Sequence, residues 1–434
     1  MAEHTPMQIC SQNRSEDWKA TLGKAKRLIR SELSLEDWTK YGFGSRRAAE
    51  FDQLAEKRDE PAQWLPRCRS SDLSREEFWQ RFESKGLPCI IEGIPEAEGW
   101  PAWRKWTWDN FKQKFPGARF KIGKDDDGTS VRVRVDHFAQ YLVNQQDDSP
   151  VYLFDNQFGG SKNGGPRDEL LQDYKPPSYF PDDFMAVSGE DDRPPYRWIG
   201  IGPKRSGTVM HQDPLCTSAW NTLICGRKRW VLLDPSVSRS VAKAKKQMTA
   251  DDDDEAVNYF LDLLPRIREQ GVEAFEFVQY PGDTIFLPGN WWHCVVNIDD
   301  TIAVTQNYCG RHNFANIWRS TRVERPCWSH KWLKAMDDRL PWLGKEARAL
   351  NDKDQFDMEK LLKANAERRL KRRQRREERD LKRARRKAGE RFDEAKWRQK
   401  RADDMSASDS DSTVSTSSNV DTSDSSTDSS EDAK

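Results

Sequence analysis

The stretch of sequence that decides the fold is residues 206–235, which read SGTVMHQDPLCTSAWNTLICGRKRWVLLDP. It contains three short runs rich in apolar, β-branched and aromatic residues, at 208–213, 219–224 and 228–233, separated by Pro or Gly. Short runs of this composition, bounded by residues that break regular structure, are typical of strands. We therefore predict three consecutive strands joined by short turns.

Similar runs occur on both sides of this stretch. The Asp127-Gly128 pair between alternating runs predicts a β-hairpin from residue 120 to residue 135. Further strands are predicted at 87–91, 151–154, 196–201, 275–279, 284–287, 293–298 and 303–307. Many short strands in sequence favour a sandwich or barrel over alternating βα units. The expected fold class is mainly β with helical appendages.

Helical patterns flank and interrupt the predicted strands. Apolar residues at helical spacing predict an amphipathic helix in 16–41, and Ser74 followed by Glu77 predicts a capping box. The segments expected along the chain are a mixed helical and strand region at 1–115, a β core at 116–325 with a helical insertion near 236–271, a helical zone at 326–350, a basic charged helix at 351–402 and a disordered acidic Ser-rich tail at 403–434.

Charge is balanced over the whole chain but separated along it. The 434 residues include 72 basic and 72 acidic side chains, and 33% of all residues are charged. Residues 368–401 carry 18 Lys and Arg against 6 acidic residues, whereas 402–434 carry 9 acidic residues against one Lys. The basic run suits a nuclear import signal or a nucleic-acid contact, and a solvated charged helix is the alternative interpretation.

Cysteine usage and hydropathy bear on the cellular environment. The 8 cysteines are scattered without a CxxC pair, which favours a reducing compartment over a disulfide framework. The first residues lack the apolar stretch of a signal peptide, and no long apolar run occurs. We therefore expect a soluble intracellular protein with no membrane partner.

The candidate metal ligands are His211, Asp213 and His293. His211 and Asp213 are two residues apart, so on a strand both side chains would point to the same face. With an imidazole from a distant strand they would form the 2-His-1-carboxylate triad typical of iron(II) oxygenases. In the alternative interpretation, both histidines are ordinary sheet or aromatic-cluster residues. His4, His137, His312 and His330 have no second ligand at strand spacing.

An oxygenase of this type that uses 2-oxoglutarate needs a cation and hydroxyl or amide donors for the far carboxylate of that cosubstrate. Lys228 begins a predicted strand and is the candidate cation, whereas in the alternative interpretation it is an exposed turn lysine. The candidate short donors on neighbouring strands are Tyr152, Thr208, Asn221 and Thr305.

The motifs resemble those of the Jumonji-C oxygenases over roughly 73–332. The matching stretches are HQDPL at 211–215, TSAWN at 217–221, GRKRW at 226–230, PGNWWH at 288–293, TIAVTQN at 301–307, DSPVYLFD at 148–155 and RPPYRW at 193–198. The resemblance is strongest to the branch that contains lysyl hydroxylases and arginine demethylases. Cys216 departs from the family pattern, in which Gly follows the Pro-Leu pair.

This resemblance implies a double-stranded β-helix core of the jelly-roll, cupin-like kind. It assigns His211, Asp213 and His293 to iron(II), and it assigns 2-oxoglutarate contacts to the five candidate cosubstrate residues named above. Trp198 and Asn307 match positions near the active site. The implied reaction uses O2 to hydroxylate peptidyl-lysine, or to demethylate arginine in proteins such as histones.

The partners expected are a Lys/Arg-rich protein substrate such as a splicing factor or histone, RNA at 368–401, and a second copy of the chain through the Trp-rich zone after Asn316. The expected location is the nucleus, with a role in chromatin regulation. Two other functions stay open, which are a catalytically silent scaffold and an RNA-binding adaptor. Succinate formation by protein that lacks residues 366–401 would separate catalysis from RNA binding.

Overall fold

A computed structural model describes residues 9–57, 65–159 and 168–387. The described residues up to Ser320 form one compact unit and those from Thr321 onward form a second. The predicted acidic tail at 403–434 and the end of the basic run lie outside the described residues.

Short strands make up the core of the first unit. In chain order they are β1 Arg67–Arg69, β2 Cys89–Glu92, β3 Arg119–Lys124, β4 Ser130–Arg134, β5 Leu153–Asp155, β6 Arg197–Gly202, β7 Gly207–His211, β8 Ser218–Cys225, β9 Lys228–Leu233, β10 Phe275–Gln279, β11 Asp283–Leu287, β12 Trp292–Asn297 and β13 Thr301–Tyr308. The strands predicted at 228–233 and 275–279 have the observed bounds, and the predicted hairpin is β3–β4.

Two sheets of these strands form the sandwich. The larger sheet has the order β1-β2-β11-β8-β13-β6-β5 and the smaller has the order β10-β9-β12-β7. All neighbours in both sheets are antiparallel except β1 and β2. Consecutive strands lie in opposite sheets from β6 to β9 and again from β10 to β13, while β9 and β10 are neighbours in the smaller sheet. Strands that cross repeatedly between two antiparallel sheets are typical of a jelly roll.

The space between the sheets is filled by apolar side chains over part of its length. The larger sheet contributes Ile90, Ala219, Ile285 and Leu287, and the smaller contributes Trp230, Leu232, Phe277 and Val295. Because side chains alternate along a strand, these residues identify which positions of each strand face inward. The inward positions that are not apolar therefore mark a candidate site.

Helices cover the outer faces of the sheets. In the first unit they are α1 Ile9–Ile29, α2 Ala48–Glu56, α3 Arg75–Arg81, α4 Ile94–Ala97, α5 Ala102–Lys105, α6 Trp108–Lys114, α7 Val135–Asn144, α8 Asp168–Gln172, α9 Arg239–Ala242, α10 Ala256–Asn258, a π-helical turn Tyr259–Leu263 and α11 Leu264–Arg268. Short 3-10 turns occur at Asp37–Thr39, Glu83–Lys85, Phe184–Ser188 and Pro214–Cys216. The π turn and α11 pack on the smaller sheet, where Tyr259 and Phe260 contact a cluster that includes Val231 and Cys294.

The predicted capping box at the start of α3 is confirmed. Ser74 Oγ accepts a hydrogen bond from the backbone N–H of Glu77 at 3.2 Å, and the Glu77 carboxylate accepts one from the backbone N–H of Ser74 at 2.8 Å. The predicted N-terminal helix ends earlier than expected, because α1 stops at Ile29 and a turn follows.

The second unit is helical. The helix α12, Phe314–Glu324, leads into it, and α13 Pro326–Arg339, α14 Pro341–Lys353 and α15 Met358–Lys387 follow. Arg322 donates hydrogen bonds to Asn351 and Asp354, and Trp328 stacks on Trp332 with ring centroids 4.9 Å apart. Within the described ranges, no helix combines the length and the apolar character required to cross a membrane.

Candidate metal centre and cosubstrate cleft

Three potential metal ligands converge beside strands β7 and β12. The Nε2 atoms of His211 and His293 each lie 3.8 Å from Oδ1 of Asp213, and the two imidazole rings are 4.1 Å apart. One donor atom from each side chain lies within 4.8 Å of the other two. No other group of His, Cys, Asp or Glu in the described part of the chain meets this condition. The structure therefore brings together the three residues selected from the sequence.

The backbone that positions them differs in one respect from the expectation. His211 and His293 are directly paired across β7 and β12. Asp213, however, lies outside the strand, because β7 ends at His211. Pro214 disfavours continued strand pairing and holds the preceding residue extended, with φ −64° and ψ 142° at Asp213. This extended backbone brings the carboxylate to the imidazoles without a strand.

A β-bulge places Thr208 on the same inner face as His211. On a regular strand, residues three apart point to opposite faces. The register between β7 and β12 shifts between His293 and Val295, so that Thr208 pairs with Val295, which points inward. A bulge re-aims side chains in this manner, and the alternation of the sequence alone does not reveal it.

The hydrogen bonds of both histidines prepare them for a metal. Nδ1 of His211 lies 2.7 Å from the carbonyl oxygen of Val209, and Nδ1 of His293 lies 3.1 Å from that of Trp291. A carbonyl oxygen only accepts, so Nδ1 carries the proton and Nε2 presents its lone pair. Burial, together with the neighbouring His211, lowers the pKa of His293 far below its usual range, which keeps this imidazole neutral.

The charge balance of the centre fits a divalent cation. Burial raises the pKa of Asp213, and no Lys or Arg among the described residues forms a salt bridge with this carboxylate. Two neutral imidazoles and one carboxylate form the facial set that binds iron(II) and leaves coordination positions open. The residues present therefore fit the iron expected from the sequence.

Lys228 is a buried cation that faces the space between the sheets. Lys228, Trp230 and Leu232 are two residues apart along β9 and therefore share one face. Trp230 and Leu232 point inward, and only 2% of the surface of Lys228 is exposed. Its ammonium donates to Tyr152 Oη at 3.0 Å, and within the described ranges it forms no salt bridge. The exposed turn lysine of the alternative interpretation is therefore wrong. A buried ammonium without a carboxylate partner indicates an anionic ligand, as 2-oxoglutarate would be.

Two glycines of β6 allow Tyr152 to reach Lys228. A Cβ at Gly200 would lie 2.4 Å from the Tyr152 hydroxyl, and one at Gly202 would lie 2.6 Å from its ring. Any other residue at these positions would displace the tyrosine. The contact between Tyr152 and Lys228 thus depends on the glycines of β6. The sequence predicted this strand, but it did not indicate why glycine is needed at these two positions.

Asn221 and Thr305 line the same space from the larger sheet. They are cross-strand neighbours on β8 and β13, and Asn221 also pairs with the inward-facing Ile285. Both are half-buried, whereas the residues on either side of each are buried. This local exposure marks a cleft between the sheets that polar side chains line. Thr305 Oγ1 donates to the carbonyl oxygen of Trp220 at 2.9 Å.

Asn307 and Trp198 occupy positions next to these groups. The Asn307 side chain hydrogen-bonds Asp213, which favours the carboxylate form, and it donates to Thr217 Oγ1 at 2.9 Å. Trp198 pairs with Thr305 across β6 and β13 and stacks on Phe154 with ring centroids 5.8 Å apart. Asn307 therefore helps to orient Asp213, the candidate metal ligand, and Trp198 forms an aromatic wall beside the cleft.

The turn that carries Asp213 has an unusual backbone. Leu215 and Cys216 both have positive φ, 61° and 57°. Such values strain residues other than Gly, which accounts for the Gly of the family pattern at the position of Cys216. A Cβ on Gly289 would lie 2.2 Å from the carbonyl oxygen of Cys216, so this turn packs closely against the turn that precedes His293.

The fold and the site together define a cupin-type β sandwich with a His-Asp-His centre and a buried cation. The family model for the cupin-like domain matches residues 75–314. The chain is 36% identical over 338 residues to the bifunctional arginine demethylase and lysyl-hydroxylase psr-1 of Caenorhabditis elegans, an alignment that covers 77% of this chain and 81% of that protein. Its Caenorhabditis briggsae counterpart is also 36% identical, over 73% of this chain and 77% of that protein.

A more distant relative is the 2-oxoglutarate and iron-dependent oxygenase JMJD4 of Mus musculus. It is 26% identical over 297 residues, which cover 61% of this chain and 66% of that protein. The chain therefore belongs to the cupin-like Jumonji-C family of iron- and 2-oxoglutarate-dependent oxygenases.

Proposed function

We propose that this oxygenase hydroxylates lysyl side chains in proteins, with arginine demethylation as a second activity of the same site. The observation that carries the proposal is the His211, Asp213 and His293 cluster, with the ammonium of Lys228 in the adjoining cleft and no carboxylate partner for it among the described residues. The names of the psr-1 relatives, which cover both reactions, support the choice of substrate.

When bound, iron and 2-oxoglutarate would allow O2 to oxidise a C–H bond of the substrate, with release of succinate and carbon dioxide. The residues of this chain bind and orient the participants. His211, Asp213 and His293 hold the metal, and Lys228 with Tyr152 binds the far carboxylate of 2-oxoglutarate. Thr208, Asn221 and Thr305 complete the polar lining of the cleft.

The same C–H oxidation accounts for both reactions. On a lysyl carbon it leaves a stable hydroxyl group, whereas on an N-methyl group it gives a hemiaminal that releases formaldehyde. The outcome thus depends on which carbon the cleft places near the metal. Trp198 offers an aromatic wall for a long aliphatic side chain, and Asn307 offers an amide beside Asp213.

The test is incubation of purified protein with iron(II), 2-oxoglutarate and peptides that contain lysine or methylated arginine. Mass spectrometry should detect the gain of one oxygen on lysine, and demethylation appears as the loss of a methylene. The variant Asp213→Asn, which preserves size and removes the charge, should abolish both changes. If both peptides stay unmodified while 2-oxoglutarate is consumed, the proposed substrates are wrong.

RNA binding by the basic segment is a separate proposal. In α15 the side chains at 368–380 are exposed except at Gln374 and Glu378, and most of them are Arg or Lys. Clustered cations of this kind bind the phosphate backbone. Removal of residues 366–401 should abolish RNA affinity and leave succinate formation unchanged. Nuclear location and a homodimer through the Trp-rich zone stay predictions.

A further inference from the structure

Gln279, the last residue of β10, is a buried amide that bridges the two halves of the site. It is fully buried and uses both ends of its side chain. Oε1 accepts a hydrogen bond from the indole N–H of Trp230 at 2.9 Å. Nε2 donates to the carbonyl oxygens of Asn221 and Asp283 at 3.0 and 3.2 Å, and to Asn221 Oδ1 at 3.3 Å.

Trp230 connects this amide to the metal centre. Its indole stacks on the imidazole of His293 with ring centroids 6.1 Å apart and an interplanar angle of 23°. On its other side it stacks on Phe277 at 6.2 Å. The hydrogen bond to Gln279 therefore fixes the in-plane orientation of a ring that supports a metal ligand.

The orientation of each amide follows from the chemistry of its neighbour. An indole N–H can only donate, so Oε1 of Gln279 must face Trp230. Nε2 of Gln279 must then face the backbone carbonyl oxygens of Asn221 and Asp283, which accept from its two N–H groups. Turning Nδ2 of Asn221 toward this amide would set donor against donor, whereas Oδ1 lies 3.3 Å from Nε2 as a further acceptor. Oδ1 of Asn221 therefore faces Gln279, and Nδ2 points away from it.

The Nδ2 group of Asn221 is thereby presented to the cleft. Among the described residues it donates no hydrogen bond, although Asn221 sits on a strand whose neighbouring side chains are buried. Its cross-strand neighbour is Thr305, another predicted contact of the cosubstrate. A donor without a partner in such a position suits an anionic ligand.

We propose that Gln279 is a positioning residue that sets the donor polarity of Asn221 toward 2-oxoglutarate and holds Trp230 behind His293. This inference rests on the proposed function, because it assumes that the cleft binds 2-oxoglutarate. Gln279 itself does not line the cleft, and it acts through the two residues it contacts.

The test uses Gln279→Glu, which keeps the shape of the side chain and replaces its donor by an acceptor. A carboxylate can still accept from Trp230, but it repels Oδ1 of Asn221. Asn221 then turns Oδ1 toward the cosubstrate carboxylate. Loss of one hydrogen bond to a charged group predicts that the Kd for 2-oxoglutarate rises by about 10-fold or more.

Binding is measured by calorimetry on protein loaded with Mn(II), where no turnover occurs. Gln279→Met, which leaves Asn221 free to adopt either orientation, should raise Kd by a smaller factor, about 3-fold. The Gln279→Met variant also tests the proposal if Gln279→Glu does not fold. The exposed Gln140→Glu adds the same charge on α7 and should leave Kd unchanged.

The decisive comparison is made in an Asn221→Ala background. If Gln279 acts through Asn221, Gln279→Glu adds no further increase in Kd there, whereas a general structural effect would add in full. Additive effects on Kd, or an unchanged Kd in both Gln279 variants, would overturn this inference but leave the proposed function intact. If the unaltered protein binds no 2-oxoglutarate, both the proposed function and this inference are wrong.

Discussion

Replacing Lys228 by methionine should weaken 2-oxoglutarate binding and at the same time stabilise the ligand-free protein. Lys228 is 2% exposed, and its ammonium has a single polar partner among the described residues, the Tyr152 hydroxyl at 3.0 Å. Its charge is therefore buried without a carboxylate when no ligand is bound. Methionine has a similar length and no charge.

The magnitude follows from the hydrogen bonds lost. A hydrogen bond to a charged group contributes about 1.5–3 kcal/mol, so KM for 2-oxoglutarate should rise by about 10- to 150-fold. In the ligand-free protein the same change removes an incompletely solvated charge. For a protein of this size, a gain of about 1 kcal/mol would raise Tm by roughly 1–2 °C.

The assay is succinate formation against 2-oxoglutarate concentration, with thermal unfolding of metal-free protein measured in parallel. Lys204→Met is the matched control, because Lys204 is partly exposed and pairs with Asp52 at the surface. It should leave KM unchanged. An unchanged KM in Lys228→Met, or an equal rise in both variants, would refute the role of Lys228.

Three further predictions concern other parts of the molecule. Asp213→Asn should reduce iron affinity at least 10-fold by equilibrium dialysis, since it removes the only anionic ligand; unchanged binding would place the metal elsewhere. Burial, together with Arg75, lowers the pKa of His312 to about 4. Below pH 6.5 the imidazole of His312 binds a proton in the unfolded chain that it excludes in the folded chain, so His312 alone should lower the free energy of unfolding by about 3 kcal/mol between pH 6.5 and 4. Urea titrations should show a flatter pH profile in His312→Gln, and parallel profiles would contradict this pKa. Ser74→Ala should lower the free energy of unfolding by about 1 kcal/mol, and no loss in the same titrations would contradict the capping role.

The strands could be predicted largely because local sequence determines them. Lys228–Leu233 ends in four apolar residues and lies between Gly226 and Asp234, and Phe275–Gln279 ends shortly before Pro281-Gly282. Turn residues fixed the bounds in both cases. The capping box at Ser74 was predictable for the same reason, since its two hydrogen bonds span only three residues.

The residues of the candidate site could be selected from the sequence, but their geometry could not. His211 and Asp213 were selected by strand spacing, yet Pro214 ends the strand and Asp213 reaches the site from an extended turn. Thr208 faces inward only because of a bulge between β7 and β12. Such departures depend on pairing with a distant strand, which the local pattern does not contain.

Buried polar contacts between distant segments were not predictable. Gln279 contacts Trp230 and Asn221 across two sheets, and each contact joins residues about fifty or more positions apart. The sequence argued against His312 as a metal ligand because it has no second ligand at strand spacing. Its side chain is instead only 6% exposed, with Nε2 3.0 Å from Ser218 Oγ, and therefore serves the packing around the turns that carry the metal ligands.

The most direct test of the central claim is a crystal structure of the protein grown with iron(II) and 2-oxoglutarate without oxygen, with anomalous data collected at the iron edge. We expect one anomalous peak within bonding distance of His211 Nε2, His293 Nε2 and an Asp213 oxygen, with the far carboxylate of 2-oxoglutarate on Lys228 Nζ. An iron peak away from these three atoms, or a cosubstrate that does not contact Lys228, would contradict the account.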